Sequence, residues 1–194
     1  ILVSRIGVCG AGASHPLVES SAYAPQNAYT RSKAVAENEL RTVLQRCNGS
    51  IVRPPLAYGA EAKGSFALLL RLVSSGLPLP FAGLKAPRSM VYVEHLAELL
   101  VACVEKPAAN NIFHVADEPA LPVADVIREL QTARRRYWHR LIPVPATLLT
   151  TLAALAGKTD AVQQLSQPLL VDSSKARRLL NWHPQLSTRE ALQR

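Results

Sequence analysis

The amino-acid sequence predicts an α/β fold built on a parallel sheet. Short β-branched runs alternate with longer runs whose apolar residues recur at helical spacing, the order of successive βαβ units. The 194-residue chain is 48% hydrophobic and 19% charged, a globular composition with enough apolar material for a real core. Beyond Gln131 the alternation stops and helical segments with loops follow, which predicts a second, mainly helical subdomain.

Taken in order, residues 1–4 ("ILVS") read as a short buried strand leading to glycines at 7, 10 and 12. These glycines precede "ASHPLVESSAYAPQ", which carries prolines and no helical period. A phosphate-binding turn needs a helix N-terminus directly after its glycines, so a plain loop is expected. "NAYTRSKAVAENELRTVLQRC" has the period of a long helix, stopped by Asn48-Gly49. "SIVRPP" is a β-branched strand closed by two prolines. "GSFALLLRLVSSG" is a helix with Gly76 at its end. "SMVYV" is a strand, "EHLAELLVACVEK" an amphipathic helix ending before Pro107, "NIFHVA" a strand and "VADVIREL" a helix.

The net charge is +8, but the only dense basic run is "ARRRYWHR" and no nucleic-acid-binding signature accompanies it. No nucleic-acid partner is expected. A basic balance equally suits an enzyme whose substrate and cofactor are diphosphates. Cys9, Cys47 and Cys103 are widely spaced, which excludes a CxxC zinc or disulfide pattern and reads as idle thiols in a reducing compartment. The five histidines lack metal-ligand spacing, so no metal is expected. In "LIPVPATLLTTLAALAG" the apolar part is about 16 residues, short of the roughly 20 that span a bilayer, and reads as a buried or groove-lining helix. With no secretory pattern either, a cytoplasmic location is expected.

Chemistry concentrates at "AYTRSKAVAE", where Tyr29 and Lys33 stand four residues apart and share one helix face. A free phenol, with a pKa near 10, is a poor proton donor or acceptor at neutral pH. An ammonium about 4 Å from a phenol favours phenolate by about 4 kcal/mol at an effective dielectric of about 20. Lysine can also hold a ribose hydroxyl. Alone, the pair is equally an ordinary helix-face pair.

Context adds to it. "LVSRIGVCG", "NAYTRSKAVAE", "IVRPPLAYG", "KGSFALLLRLVSSGLPLPFAG", "RSMVYVEHLAELLVACV", "IFHVADEPALPVADVIREL" and "LLVDSSKARRLLNWHP" together resemble the extended short-chain dehydrogenases/reductases, the NAD-dependent epimerase/dehydratase family. The likeness is to bacterial UDP-glucose 4-epimerase-like members and spans nearly the whole chain. It implies the C-terminal part of a Rossmann-type sheet domain plus a small helical substrate-binding subdomain. Residues 1–57 and 89–118 would form the incomplete nucleotide-binding domain, and 58–88 and 119–194 the substrate subdomain. The glycine fingerprint would lie upstream, so the isolated chain is expected not to bind NAD well and to leave an edge of its first strand unpaired.

The resemblance implies a Ser/Thr–Tyr–Lys triad. Tyr29 and Lys33 fill two places. The hydroxyl place falls at Arg5; Ser4 fills it only if the strand is shifted by one residue, because neighbours on a strand face opposite ways. An arginine there can bind a sugar phosphate but cannot both donate and accept as a hydroxyl does. Tyr29, Lys33, Pro54, Pro55 and Leu56 are implied as cofactor-binding, with Leu56 standing where asparagine is common. Lys63, Ser65, Phe66, Leu79, Phe81 and Arg88 are implied as substrate-binding, Arg88 on the diphosphate through its planar fork. Either Asp172 or Ser173 is expected to cap the closing helix and Trp182 to pack it. The expected function is NAD-dependent epimerisation or dehydration of a UDP-sugar for surface polysaccharide synthesis, with a homodimer possible. The alternatives are an inactive fragment or UDP-sugar-binding remnant, and a carbonyl or steroid-type reductase of the same superfamily.

Overall fold

The computed structural model describes residues 1–13, 15–44, 46, 48–62, 64–106, 111–133, 141–144 and 165–194. Strand β1 (Leu2–Val3) leads through a 3-10 turn at Ile6–Cys9 to α1 (Ala28–Leu44). Then come β2 (Ser50–Arg53), β3 (Leu56–Tyr58), α2 (Ser65–Ser74), β4 (Pro87–Arg88), β5 (Met90–Tyr92) and α3 (Val93–Glu105). After β6 (Asn111–His114) and β7 (Leu121–Pro122) follow α4 (Val123–Ala133), α5 (Ser174–Leu180) and α6 (Thr188–Leu192).

The main sheet is parallel, in the order β1-β2-β6. Leu2 pairs with Ile51 and Val3 with Val52, while Val52 pairs with Phe113 on the other side. All four residues of β2 are buried, as a central parallel strand covered on both faces requires. Alternation sorts its side chains. Arg53 points to α1, where it meets Glu37, and Val52 points to the opposite face, where it packs with Leu99 and Cys103 of α3. The first strand is shorter and wetter than the sequence suggests, with Val3 39% exposed. Its outer edge has no strand partner among the described residues. The expected plain loop after it contains the 3-10 turn, and Gly10 takes φ 116°, a conformation natural to glycine.

Strands β3 and β5 form a separate parallel pair, and β4 pairs antiparallel with β7. Beside them Tyr58, Phe66, Val73, Met90, Tyr92, Val126, Ile127, Leu130 and Leu192 make a second core that binds α2, α4 and α6. Gly76, just past α2, has φ 81° and lets the chain reverse. Helix α5 departs from the division read in the sequence. Ala176, Leu180 and Trp182 pack with Val52 and Phe113 against the main sheet, so this stretch of 119–194 belongs with the first core. Trp182 Nε1 donates to the His95 carbonyl at 3.2 Å, which fixes the helix's far end. Ser173 takes the capping position of α5 without a side-chain cap, and the Asp172 carboxylate accepts from Ser174 N at 2.7 Å.

The basic run at 134–140, the apolar stretch at 145–157, Cys47 and Lys63 lie outside the described residues. Cys9 and Cys103 are free, buried thiols. Among the described residues no helix is long and apolar enough to cross a membrane.

Candidate active site

The site begins at the first turn of α1. Asn27 starts this helix: its carboxamide oxygen accepts from Thr30 N at 2.9 Å, and its own N–H donates to Thr30 Oγ1 at 3.2 Å. Thr30, Ala34, Glu37 and Leu44 face the core. Tyr29 and Lys33 therefore lie off that face, and Tyr29 is 55% exposed. Lys33 Nζ sits 6.0 Å from the Tyr29 ring centroid and donates to the Val3 carbonyl at 3.3 Å. That bond ties the lysine to the end of β1. The Arg5 guanidinium carbon lies 5.8 Å from the same ring centroid. Helix spacing and the strand end thus bring Tyr29, Lys33 and Arg5 to one open surface.

Ser4 goes the other way. It is buried, and its hydroxyl donates to Glu37 Oε1 in a short hydrogen bond. Alternation at the strand end turns Ser4 into the core and Arg5 outward, without the one-residue shift that would bring Ser4 to the tyrosine. Glu37 is the centre of a buried network. Arg53 Nη2 donates to Glu37 Oε2 at 2.6 Å and Arg53 Nε to both carboxylate oxygens at 3.1 Å. Tyr23 donates to Oε2 at 2.6 Å. Burial pushes the Glu37 carboxyl up, but hydrogen bonds from Arg53, Ser4 and Tyr23 pull it further down, so the net shift is below the usual carboxylate range. Arg53 Nη1 also reaches Cys9 Sγ at 3.3 Å, and burial raises that thiol's pKa. The network holds the strand end, the 3-10 turn and α1 in one register.

Arg88 is half-buried and lies close enough to Arg5 to feel its charge. Its Nη1 donates to the Gln167 carbonyl at 2.7 Å and its Nη2 to the Ala11 carbonyl at 3.5 Å. Burial lowers its pKa, and the neighbouring positive charge of Arg5 lowers it further. The segment around Leu169 clamps this corner: Ser89 N donates to Leu169 O at 2.7 Å, and Leu169 N donates to Pro87 O at 3.0 Å.

The other sequence-derived candidates are dispersed. Pro54 and Pro55 are buried behind the 3-10 turn, with the Pro54 carbonyl accepting from Ile6 N at 2.9 Å. Leu56 is half-buried in β3. Phe66 and Leu79 are core residues, and Phe81 packs on the same core from its edge. Phe66 and Leu79 thus fill the second core, while Leu56 and Phe81 keep part of their surface open beside it. Ser65 is exposed at the start of α2. Two buried polar centres escaped the sequence reading altogether. One is the Glu37 network. In the other, Asp117 accepts from Tyr58 Oη and from Tyr92 N, both at 2.7 Å, and pairs with His95 Nδ1 at 2.8 Å. Burial and this carboxylate raise the Tyr58 pKa well above the ordinary phenol value.

The architecture is that of a parallel α/β protein with a tyrosine and a lysine one helical turn apart beside the end of β1. The model of the NAD dependent epimerase/dehydratase family matches residues 4–116, and the chain belongs to that family. It is 36% identical over 196 residues to UDP-glucose 4-epimerase of Vibrio cholerae, covering 98% of this chain and 60% of that protein. In structure it is similar to UDP-N-acetylglucosamine 4-epimerase of Bacillus cereus, with TM-score 0.78 and 18% identity over 98% of this chain and 62% of that one. It is also similar to UDP-glucuronic acid 4-epimerase of Bacillus cereus in complex with NAD, with TM-score 0.75 and 17% identity over 98% and 57% of the two chains. The likeness to these structures shows the fold: an α/β arrangement of the Rossmann type. The chain spans about three-fifths of the length of the relatives it matches.

Proposed function

We propose that this chain carries the proton-transfer and sugar-binding part of an NAD-dependent epimerase acting on a UDP-sugar used for surface polysaccharides. The observation that carries the reading is the convergence of Tyr29, Lys33 and the end of β1 on one open surface. Tyr29 Oη is the group placed to move a proton at a sugar hydroxyl. Lys33 keeps two of its three N–H donors after bonding Val3 O, enough to hold a ribose diol beside the tyrosine. The donor set therefore fits a nicotinamide ribose, with Tyr29 and Lys33 as the holding residues. When bound, that cofactor supplies hydride transfer. Arg88 is the candidate for a substrate diphosphate. The 3-10 turn and its glycines take no part in holding a pyrophosphate; they pack on α1 through Ile6, Val8 and Ala34.

One observation favours a second reading, a UDP-sugar-binding protein without turnover: Arg5 stands beside Tyr29, and the nearby hydroxyl of Ser4 is bonded to Glu37. Joining the N-terminal part of the Vibrio cholerae relative ahead of Ile1 separates the two. Interconversion of UDP-glucose and UDP-galactose, or of the N-acetylated pair, with NAD present supports the enzyme. Tight UDP-sugar binding without conversion supports the second reading, and failure to bind any UDP-sugar refutes both.

A further inference from the structure

Arg5 is exposed, and its positive charge has company. Its guanidinium and the Lys33 ammonium lie 5.8 and 6.0 Å from the same ring centroid. Among the described residues no carboxylate pairs with either one. Arg88 feels the Arg5 charge as well, which lowers its own pKa. Like charges at Arg5 and Arg88 oppose each other, and an anion beside Arg5 relieves that opposition. Stacking on Tyr29 alone is a weak role for an exposed guanidinium. The planar fork of Arg5 suits a carboxylate or phosphate bidentately.

We infer that Arg5 holds an oxyanion on the sugar of the substrate, either a ring carboxylate or a sugar phosphate, against Tyr29. The inference rests on the nucleotide-sugar reading above, and it narrows the substrate class to acidic sugars.

Calorimetric titration of the 194-residue chain with UDP-glucose and UDP-glucuronate, alongside its Arg5→Ser and Arg5→Lys variants, tests it. Because Arg5 is exposed, neither substitution removes core packing. Unchanged circular dichroism confirms the fold. The expected result is at least tenfold tighter binding of UDP-glucuronate than of UDP-glucose. In Arg5→Ser this preference falls to about twofold or less with UDP-glucose binding unchanged, and Arg5→Lys recovers part of it. Equal binding of the two ligands, or a preference that survives Arg5→Ser, overturns the inference and leaves the nucleotide-sugar reading standing. A parallel NMR titration follows the Arg5 Nε–H resonance with free glucuronate and with inorganic phosphate. If either moves it while no UDP-sugar binds, Arg5 is an oxyanion site and the nucleotide-sugar reading fails. Response to phosphate alone assigns the anion to a phosphate. No response to either anion, with no UDP-glucuronate preference, overturns the proposal.

Discussion

Replacing Glu37 by leucine is the sharpest test of how the site is held. The Glu37 and Arg53 side chains are 0% and 1% exposed, and their ion pair is 2.6 Å long. Removing one partner of such a pair leaves a charge buried without compensation, which costs about 3–5 kcal/mol. The buried Ser4 hydroxyl also loses its acceptor, adding about 1–3 kcal/mol. Tyr23 is only half-buried and can turn to water. Glu37→Leu should therefore cost about 4–8 kcal/mol in urea unfolding, a large share of the 5–15 kcal/mol typical of a domain. Arg53→Met alone should cost a similar amount. The double variant Glu37→Leu/Arg53→Met should recover all but about 2 kcal/mol, because no charge then remains buried. The pH dependence carries the same signature. Glu37 has a depressed pKa in the fold, so its stabilisation is present above the unfolded carboxylate value of about 4.3 and is lost as pH falls through the folded value. A Glu37→Leu cost below about 1 kcal/mol, or two costs that simply add in the double variant, would refute the reasoning.

Other consequences follow from particular residues. His114 is fully buried, its Nδ1 lies 3.2 Å from Leu17 O, and Nε2 has no partner. Burial lowers its pKa, against the pull of Glu19 and Glu37 and with the push of Arg53. Stability should fall as pH drops below the unfolded value of about 6.5, and His114→Gln should flatten that slope; equal slopes of urea midpoint against pH would contradict this. Asp117→Ala strips Tyr58, Tyr92 N and His95 of one shared acceptor and should cost about 3–5 kcal/mol, with Asp117→Asn costing less. Ile1 and Val3 lie exposed along the free edge of β1, so light scattering of the chain should rise with concentration, and Val3→Lys should reduce it.

Local patterns made much of this legible. The helical period placed α1, and i, i+4 spacing put Tyr29 and Lys33 on one face. Strand alternation foretold that Ser4 and Arg5 point apart; which of them points inward depends on Glu37, 33 residues away. Glu37 itself looked like part of a solvated helix face. The signal that could have revealed it was Arg53, a charge at the end of a β-branched strand whose four residues are all buried, which demands a buried partner. Asp117 gathers groups 22, 25 and 59 residues distant, and no periodicity links them. Phe66 and Leu79 look the same in sequence whether they line a ligand or fill a core, and only the packing of α2 against β3 decides it.

The central claim is that Tyr29 moves the proton at the sugar. Its direct test is kcat/KM for UDP-sugar epimerisation by the chain joined to the N-terminal part of the Vibrio cholerae relative, with and without Tyr29→Phe. Phenylalanine keeps the ring near Arg5 and Lys33 and removes only the hydroxyl. A fall of about 10²–10⁴-fold, with substrate binding nearly unchanged, is the predicted result. A rate within about threefold of the parent would mean that the proton is carried elsewhere, and the site drawn around α1 would be wrong.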